Sequence, residues 1–127
     1  MRNEDWPERL HEYIESRRDM PFAWGTNDCV TFAAGAILAM TGRDLIGVPR
    51  WDSAATAMRI LQEMGGMESV ADKLFERVTK PGRGHLGLVS GDREFFGVIW
   101  PPYVYTPGEK HMLGNSVKVC RVIWAVQ

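Results

Sequence analysis

With 127 residues, the chain is long enough for one domain with one core and too short for a separate regulatory module. Apolar residues make up 45% and charged residues 24%, the composition of an ordinary globular protein rather than a disordered or fibrous one. Fifteen basic side chains against sixteen acidic ones leave a formal charge of −1 with no Lys/Arg stripe, which sets nucleic acid aside as a partner.

Two cysteines, Cys29 and Cys120, are too few for a disulfide framework, and their separation matches neither a CxxC redox pair nor a zinc pair. Free thiols made in a reducing cytosol are the expectation. The segment 1–10 is charged and holds no signal-peptide core, and no stretch approaches the ~20 apolar residues that span a bilayer. His11, His85 and His111 are scattered without HExxH or paired-ligand spacing, so neither a metal nor another cofactor is expected.

Residues 5–18 predict an amphipathic helix. Asp5 and Glu8 have capping-box spacing, Pro7 lies in the first turn, and Trp6, Leu10, Tyr13 and Ile14 share a face. Pro21 and Gly25 then break the pattern, making 20–25 a short connector. Residues 28–41 are apolar nearly all round, with Asn27 or Asp28 as cap and Gly42 as stop; such a helix belongs at the centre of the fold. A third helix is predicted from Asp52 or Ser53 to Met64, closed by Gly65 and Gly66, and a short fourth over 69–75. After Pro81 the pattern changes to strand-length runs at 85–90, 94–100, 103–105 and 117–126. Helices first and strands second predict a single α+β domain over residues 1–127 with an antiparallel sheet.

Cys29 is the candidate reactive residue. The start of a helix presents unpaired N–H groups and the positive end of the helix dipole, both of which favour a thiolate. The same N–H groups would serve a developing oxyanion, and a histidine within hydrogen-bond reach would complete a thiol nucleophile. The competing reading is a buried cysteine acting as a small hydrophobe, among the commonest roles of free cysteine.

Other signals carry less. Residues 82–87 spell GxGxxG, but a strand-like run follows where a nucleotide fingerprint needs a helix, so these glycines read as turn and close-packing positions. Arg83 between them is a candidate anion contact. Trp24, Trp51, Trp100 and Trp124 could line a groove, although large aromatics more often serve as core or half-buried packing. Pro101 and Pro102 cannot donate to a sheet ladder, so residues 100–105 read either as a sheet edge with aromatics open to a partner or as a rigid turn.

The string Pro21-Phe22-Ala23-Trp24-Gly25-Thr26-Asn27-Asp28-Cys29-Val30-Thr31-Phe32 resembles the nucleophile segment of the NlpC-type branch of papain-like cysteine peptidases, whose members cut peptidoglycan stem peptides. It is more similar still to a compact subgroup found in tailed phages and prophages. That likeness continues through Thr41-Gly42-Arg43-Asp44, Gly65-Gly66, a Gly-containing strand pair and a final strand holding Arg121 and Trp124. It departs at Val30-Thr31, where the peptidases commonly have Ser-Gly.

The resemblance implies a papain-like fold, with the Cys29 helix packed on a C-terminal antiparallel sheet, and Trp24, Asn27 and Asp28 lining the site or aiding the oxyanion. It implies no cofactor. Its catalytic histidine begins the second core strand in a His-apolar-Gly-apolar pattern, and two registers fit. In one, His85-Leu86-Gly87-Leu88 is that strand and His85 is the base. In the other, His85 belongs to the first strand, 94–98 is the second, and Phe95 or Phe96 occupies the histidine position; the spacing to the C-terminus favours this one. His111, beside a turn signal, is a fallback base expected on an exposed loop, and His11 is expected on a helix surface.

The function implied is a tail-tip or baseplate component, made in the bacterial cytoplasm and carried in the virion tail. It would either cut stem peptides during genome delivery or keep the fold as an inactive docking or plug element.

Overall fold

The computed structural model describes residues 2–48 and 50–127. Helix α1 (Trp6–Arg17) buries Leu10 and Ile14, and its Tyr13 hydroxyl donates to the Phe32 carbonyl at 2.8 Å, tying α1 to the next helix. The expected Asp5 capping box does not form. Asp5 has φ −96° and ψ 27° instead of the extended backbone of a capping residue, and its carboxylate accepts from Arg9 Nε at 2.8 Å.

Helix α2 (Cys29–Thr41) is the central element, with Phe32, Ala36 and Met40 fully buried and Gly42 closing it in the left-handed conformation. Its cap is Asp28, extended at φ −101°, which accepts from the Val30 and Thr31 amides while Thr31 Oγ1 accepts from the Asp28 amide. Helix α3 (Ala54–Glu63) starts on a similar Ser53–Thr56 capping box, and α4 (Met67–Leu74) begins directly after Gly66, earlier than the 69–75 expected.

The sheet comprises β1 (Glu76–Val78), β2 (Leu86–Ser90), β3 (Glu94–Trp100), β4 (Tyr103–Pro107), β5 (Met112–Ser116) and β6 (Cys120–Ala125), in the order β1-β6-β2-β3-β4-β5. Every pairing is antiparallel, which gives an α+β architecture. Leu86, Leu88, Phe96, Val98, Val122 and Trp124 face α2 and form the main core with it. Val89, Ile99 and Val104 make a smaller cluster on the other face.

Two sequence expectations change. Strand β5 was not anticipated because it is exposed apart from Met112 and shows no apolar alternation, and β1 is too short to register. The expected 117–126 strand is a 3-10 turn (Val117–Val119) followed by β6. Of the two readings of residues 100–105 the rigid turn is the one found: Pro101 and Pro102 join β3 to β4, and β5 covers β4.

A polar clamp joins α4 to the sheet. Trp124 Nε1 donates to Asp72 at 2.9 Å, Arg77 pairs with Asp72 at 2.7 Å and Glu68 at 3.0 Å, and Arg121 bridges Glu68 and Glu94. Hydrogen bonds from Arg77 and then Trp124 hold the Asp72 carboxyl down at about 2. A depressed folded-state pKa stabilises above the unfolded value near ~3.9 and loses that contribution as pH falls through the folded one. Asp72→Asn should therefore flatten the acid side of the stability profile between about pH 4 and pH 2, modestly because the groups are exposed. Urea titrations across that range test this; identical acid slopes in the variant and the parent would contradict it.

Candidate functional site

The site is a turn that the chain builds to present Cys29. Residues 23–27 close on themselves, with the Asn27 amide donating to the Ala23 carbonyl at 2.8 Å and the Ala23 amide returning to Asn27 at 3.2 Å. The Asn27 side chain is buried, and its Nδ2 reaches the Met20 and Pro21 carbonyls, fastening the connector to the helix start.

Asp28 is the hub. It is 2% exposed, and its carboxylate accepts from the amides of Gly25, Val30 and Thr31 and from Trp51 Nε1, the last at 2.6 Å. One buried carboxylate thus joins the connector, the first turn of α2 and the approach to α3. The first-turn amides that would be free to hold an oxyanion are in part already used, since Val30 and Thr31 both donate to Asp28. The Cys29 amide is not consumed by that cap.

Beside Cys29 runs a groove of about 440 Å³ whose walls include Trp24, Trp51, Ala54, Met58 and Glu94. Trp24 is half-buried and meets Phe22 edge to face at 4.8 Å between ring centres. Cys29 itself is half-buried by exposed area but lies deep against the sheet. Desolvation pushes its thiol up to about 11, outweighing a hydrogen bond from the Phe96 main chain that pulls the other way. The helix terminus alone predicts a lowered pKa; burial wins because the thiol sits between α2 and β3.

The sequence-nominated residues separate into two places. Trp24, Asp28 and Cys29 share the groove, with Asn27 just behind it. His85 is elsewhere. A side chain on its neighbour Gly84 would touch Met40 Sδ at 2.6 Å, and Met40 lies at the far end of α2, roughly 16 Å from Cys29 at ~1.5 Å rise per residue. His85 also follows the face of Ile99, whose amide donates to the His85 carbonyl at 2.9 Å, whereas Leu86 and Leu88 face α2. The structure does not bring Cys29 and His85 together.

What stands against Cys29 is Phe96, 5% exposed and stacked edge to face on Trp124 at 6.2 Å. Phe95, its neighbour, points to the opposite cluster. His111 lies exposed in the β4–β5 loop and His11 on the exposed face of α1, as their sequence surroundings indicate. Among the described residues, no group of three or more His, Cys, Asp or Glu side chains converges on a metal-sized site.

Glu94 is a site residue that sequence reasoning passed over, and Trp51, one of the tryptophans that could line a groove, has a bond to Asp28 that it did not foresee. Trp51 reaches Asp28 across 23 positions of chain, and no periodic or motif signal precedes that contact. Glu94 borders the groove only because the β2–β3 turn folds beside it.

Fold and site together define a small α+β domain in which a cysteine begins the central helix and packs against an antiparallel sheet. The chain belongs to the DUF6950 family, described as a domain of unknown function, which matches residues 1–126. Comparison with curated proteins gives no match. Among the described residues, no helix is long and apolar enough to cross a membrane.

Proposed function

We propose that this chain is a papain-like domain of the NlpC type that has lost hydrolysis and serves as a docking or plug element in the tail tip of a tailed phage or prophage. The observation that carries the loss of chemistry is the Phe96 main chain lying against the Cys29 thiol, with His85 at the opposite end of α2. A thiol raised to about 11 and lacking a histidine is a poor nucleophile near neutral pH. The tail-tip context rests on the resemblance of residues 21–32 and of the subgroup features that follow them. On this reading the protein is made in the bacterial cytoplasm and ends in the virion, bound to tail-tip or baseplate proteins.

A second reading, cleavage of peptidoglycan stem peptides, is favoured by the open groove at Cys29 with its tryptophan walls. Under it, Cys29 attacks the peptide carbonyl and a partner chain supplies the base. Particles carrying Cys29→Ala separate the two. The docking reading expects them to assemble and infect at parental titre, and expects the purified chain to release no stem peptides from peptidoglycan. Normally assembled Cys29→Ala particles that fail to infect, together with Cys29-dependent peptide release, would overturn it.

A further inference from the structure

The Gly82-Arg83-Gly84-His85 turn, left over when His85 proves remote from Cys29, forms an open depression of about 520 Å³ with the N-terminal arm. Two arginines line it. The Arg2 guanidinium lies 4.0 Å from the centre of the Trp6 ring, and its Nε donates to the Val126 carbonyl at 2.7 Å, leaving both terminal nitrogens for other partners. Arg83 lies 4.5 Å from the Trp100 ring centre. Stacking on indole fixes a guanidinium plane without neutralising it.

No carboxylate belongs to this depression, and among the described residues neither arginine pairs with one. Arg9, Arg18, Arg77 and Arg121 have acidic partners, while Arg17, Arg43, Arg59 and Arg93 have none among the described residues; what sets Arg2 and Arg83 apart is that two such arginines border one depression. Burial lowers the pKa of Arg2 and is the larger cause of the lowered pKa of His85, to which the Arg2 charge adds a smaller push in the same direction.

The turn is shaped to bring these groups close. Gly84 has φ +84°, and a side chain there would meet the Arg2 guanidinium at 3.3 Å as well as Met40. A side chain at Gly82 would strike the His85 ring at 2.7 Å; instead the Gly82 amide donates to His85 Nδ1 at 3.1 Å, so His85 braces the turn.

We propose that Arg2 and Arg83 form a binding site for a phosphate group. Two guanidinium forks from separate segments suit a tetrahedral dianion, which offers oxygens to both, whereas one fork already satisfies a carboxylate. This does not depend on the fate of Cys29.

The test follows amide resonances of the full chain at pH 7.5 during titration with inorganic phosphate, at ionic strength matched with chloride. Saturable shifts are expected at Gly82, Gly84 and His85. Binding should weaken by about tenfold or more in Arg83→Gln and Arg2→Gln and stay unchanged in Arg93→Gln, which lies on the β2–β3 turn. Equal shifts with chloride or acetate, saturation at other residues, or undiminished binding in Arg83→Gln would overturn the proposal. Two further arms locate the source of the phosphate. Cosedimentation with vesicles containing phosphatidic acid, lost in Arg83→Gln, assigns a lipid headgroup, and binding of glycerol 3-phosphate without cosedimentation assigns a soluble phosphate ester.

Discussion

Replacing Asp28 by alanine should destabilise the domain by about 3–5 kcal/mol, a large share of the ~5–15 kcal/mol that holds a domain of this size together. Loss of the cap accounts for roughly 1 kcal/mol of this. The remainder comes from donors left buried without a partner, chiefly Trp51 Nε1 and the Gly25 amide, at ~1–3 kcal/mol each. Asp28→Asn should fall between variant and parent, because asparagine still caps a helix while only its carbonyl can accept from Trp51 or Gly25. Urea denaturation followed by far-UV circular dichroism gives both values. A loss below about 1 kcal/mol in Asp28→Ala would show that water replaces the carboxylate cheaply and that Asp28 is not what organises the turn.

The second large effect is on the reactivity of Cys29. In a Cys120→Ser background, alkylation by iodoacetamide should keep accelerating with pH past 10, without levelling near the ~8.5 of a free thiol. With the thiol at about 11, roughly 0.1% is ionised at pH 8, against about a quarter of a free cysteine. The greater intrinsic nucleophilicity of a more basic thiolate recovers about tenfold of that deficit, so the net slowing at pH 8 is at least ~10-fold before burial limits access. A rate that levels at or below pH 8.5 would mean an activated thiolate and would favour the hydrolytic reading of the site.

The same shift has a consequence for stability. Burial also pushes the Cys120 thiol up to about 11. Between ~8.5 and about 11 the unfolded chain loses these protons while the folded chain keeps them, so stability declines as pH rises through that window. Cys120→Ser should remove one of the two contributions, which unfolding titrations at pH 8 and pH 10 would register.

The central helix, its Asp28 cap and its Gly42 stop were readable from residues 27–42, because capping chemistry and an apolar surface act within a few positions of chain. The same locality made α3 and its Ser53 cap legible, and the run from helices to strands fixed the α+β class. The Asp5 box failed by the same standard: its spacing was right, but the backbone before α1 is not extended, and spacing does not specify backbone angles.

Everything that decides what Cys29 can do is non-local. Its place at a helix start argued for a thiolate, yet its pKa is set by desolvation against β3, more than 60 residues away in the chain. His85 matched a local pattern, and spacing to the C-terminus favoured Phe95 or Phe96 in the histidine position without choosing between them; the sheet register carries His85 to the other end of α2 and to the other face, and sets Phe96 rather than Phe95 against the thiol. The bond from Trp51 to Asp28 and the meeting of Arg2 with Arg83 were invisible for the same reason. Short-range rules determine which segments form and where they stop. Which side chains meet is decided by strand pairing and helix packing, whose free energy is shared over the whole core and leaves no mark at any single position.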